Sequence, residues 1–161
     1  MTPQPSALAR IAGLAISLAA SLGISAIGAR ITMTSVGDWY QTLAKPPLNP
    51  PDWVFAPVWI TLYIIMAVAA WWVWNKHGTG ARRAIALYAV QLALNLGWTV
   101  LFFGLRQPDW ALAEIAVLLA AILGTIAAFR IHSHVAAWLL APYAAWVAFA
   151  TYLNAGIVVL N

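Results

Sequence analysis

The chain has 161 residues, of which 64% are hydrophobic and only 7% are charged. Soluble domains carry about 25% charged residues, and more than half of a folded surface is already apolar, so a soluble fold of this size cannot hide so much apolar surface. The composition therefore excludes a soluble domain and predicts an all-α integral membrane protein surrounded by membrane lipid. The formal charge of +4 resides mainly at the ends of apolar runs, which is typical of membrane anchors, and we expect no nucleic-acid partner.

Five apolar segments are long enough to cross a bilayer, which takes about 20 helical residues. They predict one domain, residues 1–161, built as a bundle of five transmembrane helices. We expect these helices at about 8–29, 53–75, 84–105, 110–130 and 135–158, with a long loop over 30–52. The first segment is longer than the apolar part of a signal peptide and further spans follow it, so we interpret it as the first helix.

An odd number of spans places the two termini on opposite sides of the membrane. The basic residues divide five to three between the N-terminal side and the opposite side. They are Arg10, Lys76, Arg82, Arg83 and Arg130 on the first, and Arg30, Lys45 and Arg106 on the second. Because cytoplasmic loops are richer in Lys and Arg, this excess favours a cytoplasmic N-terminus.

The long loop contains four prolines within six residues, Pro46, Pro47, Pro50 and Pro51. Proline has no N–H and a fixed φ, so this stretch cannot continue a helix. A loop of this length in a compact protein is more often a binding loop than an idle connection. We therefore predict that it is a lid, which includes Trp39 and the four prolines and is anchored only at its ends.

Two predicted helices carry small residues at four-residue spacing. The rows are Gly13, Ser17, Ser21, Ser25 and Ala29 on the first helix, and Ala116, Ala120, Gly124 and Ala128 on the fourth. Small residues allow helix backbones to approach closely in lipid, so the rows indicate packing surfaces. They suit an internal seam or a contact between two copies, and we predict a homodimer formed through one of them.

Three of the ten tryptophans, Trp59, Trp98 and Trp146, lie deep in predicted spans, whereas most of the others are near span ends. A rise of about 1.5 Å per residue places the three in the half of the bilayer under the long loop. The third helix adds a stripe at helical spacing that must face the bundle interior, because amides and hydroxyls in hydrocarbon need partners. The stripe consists of Gln91, Asn95, Trp98, Thr99 and Phe102. Spacing alone leaves two interpretations open: bonds between helices, or a cavity for a flat apolar ligand.

Ionisable residues are absent from the centres of the predicted spans, which argues against a proton-coupled pump. Glu114, about a turn into the fourth span, is expected to be an interfacial carboxylate that pairs with Arg106. His77, His132 and His134 are expected to be solvated, because no thiol or carboxylate completes a metal-ligand set with them. The sequence predicts neither a metal site nor an intrinsic cofactor.

Several motifs fall in order over about residues 38 to 154. The loop and second helix contain Asp38-Trp39-Tyr40, then Leu43-Ala44-Lys45-Pro46-Pro47-Leu48-Asn49-Pro50-Pro51, then Pro57-Val58-Trp59. The third helix contains Gln91-Leu92-Ala93-Leu94-Asn95-Leu96-Gly97-Trp98, and the fifth contains Trp138-Leu139-Leu140-Ala141-Pro142-Tyr143 followed by Trp146 and Ala150. Together these motifs resemble the tryptophan-rich sensory protein/translocator protein family, which includes the mitochondrial peripheral benzodiazepine receptor.

The resemblance implies a five-helix protein of a bacterial cell membrane that binds porphyrin or haem. Animal members also bind sterols and benzodiazepine-type drugs. The family's pocket residues correspond to Tyr40, Trp59, Asn95, Thr99, Trp146 and Ala150, and the depth count adds Trp98. Two departures matter: Leu48 stands where many relatives have an aromatic, and no basic residue follows Tyr152, so sterol binding is not carried over.

Three functions remain open at this point. The first is a sensor or carrier that captures tetrapyrroles under the loop. The second is light-dependent porphyrin breakdown, in which Trp59 and Trp146 react with the excited ligand and no acid–base residue takes part. The third is a membrane scaffold with a vestigial pocket.

Overall fold

The computed structural model describes residues 6–76 and 79–161. Over these ranges the chain is helical and contains no strand. Five helical stretches are long and apolar enough to cross a membrane: Ala7–Met33, Asp52–Trp74, Gly80–Gly104, Pro108–His132 and His134–Leu160. The prediction of an all-α bundle with five spans is confirmed.

The helices are numbered in chain order. α1 covers Ala7–Met33, α2 Trp39–Thr42, α3 Phe55–Trp74, α4 Thr79–Thr99, α5 Pro108–His132, α6 His134–Leu139 and α7 Ala141–Leu160. A 3₁₀ turn, Asp52–Val54, leads into α3, and a π-helical turn, Val100–Gly104, extends α4. α5 begins with Pro108, whose missing N–H is not needed in the first turn of a helix.

Three elements differ from the prediction. α4 begins at Thr79, five residues before the expected start at residue 84. α1 continues to Met33, about one turn beyond residue 29, so the loop is shorter than expected. The fifth span is interrupted at Leu140 and divides into α6 and α7. Pro142 explains the interruption, because it has no N–H to bond with the carbonyl group of Trp138.

The small-residue row of α1 packs inside the bundle. A Cβ on Gly13 would lie 2.5 Å from the ring of Trp74, so the α3 indole sits directly on the α1 backbone. The Ser17 hydroxyl donates to the Ala67 carbonyl oxygen at 2.7 Å, and Ser21 shares a buried 2.7 Å hydrogen bond with Tyr88. Over these three positions the row is an internal seam against α3 and α4.

The corresponding row of α5 faces outward. Ala116, Ala120 and Gly124 are exposed, and a Cβ on Gly124 would meet nothing within 4 Å. The two rows look alike in sequence, yet only the α5 row is left open on the surface of the chain. If a row serves a homodimer, it is the row on α5.

The core has two parts. The larger part lies between α3, α4, α5 and α7 and contains fully buried side chains such as Met66, Phe129 and Tyr143. The smaller part lies beneath the loop and contains Tyr40, Phe102, Ala111 and Ile157. Trp98 packs against both parts and joins them.

Candidate ligand-binding site

The loop between α1 and α3 is fastened to α7 along its proline-rich part. The Tyr152 hydroxyl donates to the Pro47 carbonyl oxygen at 2.9 Å, and the Pro46 ring packs so tightly on Gly156 that a Cβ there would lie 2.5 Å from it. The Asn161 side chain accepts from the Ala44 N–H at 3.0 Å and donates to the Ala44 carbonyl oxygen at 3.1 Å. The expectation that the loop is anchored only at its ends is therefore wrong, because its proline-rich part also contacts α7. Gly156 has no side chain, which allows the Pro46 ring to pack directly on the helix backbone.

The other side of the loop is attached to the end of α4. The Ser35 hydroxyl donates to the Phe103 carbonyl oxygen at 2.6 Å, and the Arg106 guanidinium lies 3.4 Å from the Asp38 carboxylate. Arg106 thus pairs with Asp38, and the expected pair with Glu114 is wrong. Arg106 follows the π-helical turn in the left-handed region, with φ of 56°, and its Nε also donates to the Ser35 hydroxyl.

Glu114 is less solvated than an interfacial carboxylate. Both carboxylate oxygens are buried, and neither has a hydrogen-bond partner among the described residues. One of them lies 3.5 Å from the position of a Cβ on Gly97, so the side chain points at the α4 backbone.

Tyr40 closes the smaller core part from the loop side. Its ring packs 5.7 Å from Phe103 and 6.3 Å from Phe102, and its hydroxyl donates to the Asn49 side-chain oxygen at 3.1 Å. Burial raises the pKa of Tyr40, the Asn49 hydrogen bond opposes that rise, and the Asp52 charge adds to it. Tyr40 therefore remains a neutral donor at physiological pH.

The predicted stripe on α4 does face the interior, as expected. Asn95, 2% exposed, accepts from the Tyr63 hydroxyl at 2.5 Å and donates to the Tyr143 hydroxyl at 3.0 Å. Its amide thus joins α3, α4 and α7, which is the helix-bonding interpretation of the stripe. Gln91, one turn away and 1% exposed, has no partner for either amide atom among the described residues.

Trp59 and Trp146 lie along the same seam, between α3 and α7. Trp59 contacts Tyr63 and Tyr143, with ring centroids 5.8 and 6.3 Å away, and Trp146 contacts Phe55 at 6.0 Å. The Nε1 atom of Trp146 is buried and has no partner among the described residues. The aromatic groups of the seam thus surround one unused hydrogen-bond donor.

The remaining predicted residues lie around this seam. Trp98 stacks on Phe102 at 5.2 Å and donates to the Asn154 side-chain oxygen at 3.1 Å. Thr99 donates to the Asn95 carbonyl oxygen at 3.2 Å and faces α1 at Gly28. The structure therefore places Trp59, Asn95 and Trp146 together, while Tyr40 belongs to the smaller core part and Trp98 joins the two parts. Ala150, one turn after Trp146, is half-buried against the larger part.

The sequence prediction missed four residues that contact the predicted site residues: Phe55, Tyr63, Tyr143 and Asn154. Tyr63 stands four residues after Trp59, and Tyr143 stands three residues before Trp146, so each shares a helix face with a predicted residue. Helical spacing could therefore have found both tyrosines. Asn154 stands four residues after Ala150 and shares its helix face, but spacing does not show its bond to the Pro108 carbonyl oxygen, to which it donates at 2.9 Å.

The described residues bring no three His, Asp or Glu side chains together in a metal-binding group. His134 is exposed, and His132 packs near Gly80. His77 lies outside the described residues.

The model of the TspO/MBR family matches residues 15–160, nearly the whole chain. The chain belongs to the TspO/MBR family. It is 40% identical to the tryptophan-rich protein TspO of Chlorobaculum tepidum over 156 residues, which are 94% of this chain and 98% of that protein. It is also similar to the human translocator protein, with 41% identity over 147 residues, 89% of this chain and 86% of that protein.

The tryptophan-rich sensory protein of Cereibacter sphaeroides is 42% identical over 117 residues, 73% of each chain. Membership of the TspO/MBR family, together with the five apolar helices, identifies an integral membrane protein. The family match spans every residue of the seam between α3, α4 and α7 and the loop above it. These findings agree with a sensory or binding role.

Proposed function

We propose that this TspO/MBR family protein binds tetrapyrroles, such as porphyrin and haem, between α3, α4 and α7 beneath the loop, as a sensor or carrier. The observation that carries the proposal is the buried, unpartnered indole N–H of Trp146 within an aromatic seam. A buried donor without an acceptor costs about 1–3 kcal/mol, and a bound ligand that supplies an acceptor removes that cost.

Other indoles of the chain make the contrast clear. The Trp98 N–H has the Asn154 oxygen at 3.1 Å, and the Trp71 N–H has the Arg10 carbonyl oxygen at 2.8 Å. Trp146, which the depth count places in the same half of the bilayer as Trp98, lacks such a partner among the described residues. Its N–H is therefore available to a ligand, which the other two are not.

The walls of the site suit a flat apolar molecule. The described ring contacts of Trp59 and Trp146 are tilted or edge-on, with interplanar angles of 36° to 68°. A macrocycle that enters the seam exchanges these contacts for stacked ones, and each aromatic pair contributes about 0.5–1.5 kcal/mol beyond area burial. Its propionates then point toward the loop side, where Lys45 lies over the Tyr40 ring and has no carboxylate of the described residues within ion-pair distance.

The loop controls access to the seam in this proposal. Its contacts with Tyr152 and Gly156 lie six and ten residues beyond Trp146 on α7, which corresponds to roughly 9 and 15 Å along the helix. The loop must shift from α7 before a ligand of porphyrin size reaches Trp146. The lid is thus a docked segment that has to be released.

Titration with protoporphyrin IX, followed by tryptophan fluorescence in the dark, tests the proposal. We expect saturable quenching in the parent protein and in Trp138→Ala, since Trp138 is 75% exposed and lies on α6, outside α3, α4 and α7. We expect weaker binding in Trp59→Ala. Absence of saturable quenching contradicts tetrapyrrole binding and favours a scaffold.

The same samples, illuminated after saturation, test the second function. New absorbing species that require Trp59 or Trp146 favour light-dependent breakdown. An unchanged porphyrin spectrum after illumination favours a sensor or carrier.

A further inference from the structure

A groove on the outer surface of α5 and α6 lies away from the aromatic seam. It has a volume of about 450 Å³ and is lined by Leu123, Ile126, Ala127, Arg130, Ile131 and His134. Leu123 is 55% and Ile131 82% exposed, so the apolar wall faces the hydrocarbon that surrounds the bundle. Arg130 and His134, both exposed, form its polar end.

The polar end of the groove lies on the side of the membrane that holds the N-terminus. A Cβ on Gly80 would lie 3.0 Å from the His132 ring, which places the end of α5 beside the start of α4 and its Arg82-Arg83 pair. The hydrogen bond from the Trp71 indole to the Arg10 carbonyl oxygen places the start of α1 on the same side. Five basic side chains therefore share this end of the bundle: Arg10, Lys76, Arg82, Arg83 and Arg130.

All four carboxylate side chains of the protein lie toward the opposite end. They are Asp38 and Asp52 in and beside the loop, and Asp109 and Glu114 in the first two turns of α5. The ion pair that the described residues form is Arg106 with Asp38, also on the loop side. Within the described part of the chain, Arg130 thus has no carboxylate within ion-pair distance.

We propose that the groove binds an anionic phospholipid. An acyl chain lies along Leu123, Ile126 and Ala127, and the phosphate contacts Arg130 and His134. Guanidinium groups match phosphate oxygens in bidentate geometry, and an apolar trough next to such a group suits a lipid better than a soluble anion. A zwitterionic lipid is disfavoured, because its ammonium group meets several cations and no carboxylate at this end.

Native mass spectrometry of the detergent-solubilised protein tests the groove. The probes are dioleoylphosphatidylglycerol and dioleoylphosphatidylcholine, added at equal concentration. We expect retention of the phosphatidylglycerol above that of the phosphatidylcholine. Arg130→Gln should lower this retention about fivefold, the effect of one basic residue at an anionic surface.

Two further variants separate the groove from general surface charge. Ala127→Trp fills the apolar trough and keeps every charge, so it should lower phosphatidylglycerol retention as Arg130→Gln does. Arg10→Gln removes one charge from the same side but on α1, and it should retain the lipid. Arg130, Ala127 and Arg10 are exposed, and circular dichroism checks that each variant keeps its helix content.

Three results overturn the proposal. The first is equal retention of the two lipids. The second is an equal loss in Arg10→Gln and Arg130→Gln, which indicates diffuse attraction. The third is full displacement by glycerol 3-phosphate at the same concentration, which indicates a site for a free anion. The proposal does not depend on tetrapyrrole binding, and a failed porphyrin titration leaves it intact.

Discussion

Asn95 and Trp146 lie on one seam of the bundle and differ in how their polar atoms are used. The Asn95 amide accepts from Tyr63 and donates to Tyr143, so both of its polar atoms are paired within the chain. The Trp146 indole N–H is equally buried and has no partner among the described residues. Paired groups hold helices together, whereas unpaired donors are available to a ligand, so burial alone does not identify a binding residue.

The two small-residue rows differ in the same way in their packing, because one is covered by neighbouring helices and the other is exposed. Trp74, Ala67 and Tyr88 cover the α1 row, whereas Ala116, Ala120 and Gly124 of the α5 row are exposed and a Cβ on Gly124 would meet no described atom within 4 Å. Sequence spacing treats the two rows alike, because both have small residues at every fourth position. Only the position of the neighbouring helices separates a used surface from an unused one.

The largest effect on stability is expected from removing the paired side-chain amide of Asn95. Asn95→Leu leaves two buried tyrosine hydroxyls without their partner, which should lower the free energy of unfolding by about 2–4 kcal/mol. Gln91→Met is the matched control on the same helix, because it removes two amide atoms for which the described part of the chain offers no partner. It should leave stability unchanged or raise it by about 1 kcal/mol, as measured by unfolding in mixed detergent followed by circular dichroism. If the control destabilises as strongly as Asn95→Leu, the distinction between paired and unpaired groups fails.

The next largest effect is expected on porphyrin affinity when the aromatic ring of Trp59 is removed. Trp59→Ala removes a ring that packs on Tyr143, and porphyrin affinity should fall about 10- to 50-fold, while Trp59→Phe should lose only a few-fold. Fluorescence titration measures both. Trp138→Ala is the matched control, since it removes an indole that is 75% exposed. A similar loss in Trp138→Ala would place the ligand elsewhere.

The unpaired donor itself should matter for binding more than for folding. Trp146→Phe keeps most of the ring and removes an N–H that has no partner among the described residues, so porphyrin affinity should drop about fivefold at constant stability. Trp98→Phe is the counterpart, because it breaks the hydrogen bond to Asn154 and should lower the melting temperature. Loss of stability in Trp146→Phe with unchanged affinity would reverse the assignment.

A smaller effect on porphyrin affinity is expected from weakening the contacts between the loop and α7. In Gly156→Ala the new Cβ would lie 2.5 Å from the Pro46 ring, which forces the loop off α7 and should change porphyrin affinity about two- to threefold with helix content intact. Alanine at Pro46, Pro47, Pro50 and Pro51 together should weaken binding by raising the entropy of the free loop. Gly23→Ala is the control, because a Cβ there meets nothing within 4 Å. Equal affinity in parent, Gly156→Ala and the proline variant argues against a lid.

The smallest effect on folding and binding is expected on α5. We propose that the exposed row around Gly124 forms a homodimer contact, so Gly124→Leu should convert a dimer to a monomer in light scattering. Porphyrin binding should persist, since a Cβ at Gly124 would meet no described atom within 4 Å and the residue is exposed on α5. A monomeric parent protein would contradict the dimer, and a dimeric Gly124→Leu would assign the contact to another surface.

Much of the fold could be predicted because lipid imposes a simple rule. Apolar length fixes the spans, and the cost of amides in hydrocarbon fixes the inward face of α4. The break at Leu140 could also have been found, since Pro142 stands two residues later. The π-helical turn after Thr99 could not, because it depends on how the loop meets Phe103 and Arg106.

The sequence predicted several residues of the site but not their hydrogen-bond partners. Depth placed Trp59 and Trp146 in one half of the bilayer and spacing turned Asn95 inward, but no sequence pattern shows that Asn95 is bonded twice while Trp146 lacks a partner among the described residues. Those facts depend on where Tyr63 and Tyr143 lie across three helices. The Asp38 partner of Arg106 was missed for the same reason, since the two residues lie 68 positions apart.

A structure of the protein with bound protoporphyrin IX tests the central claim most directly. The account predicts the macrocycle beneath the loop, stacked on Trp59 and Trp146, with an acceptor atom of the ligand or an ordered water at the Trp146 Nε1 atom. It also predicts an intact pair of hydrogen bonds from Asn95 to Tyr63 and Tyr143. A porphyrin bound on a lipid-facing surface, with the seam between α3 and α7 unchanged and the Trp146 N–H still unpaired, would contradict it.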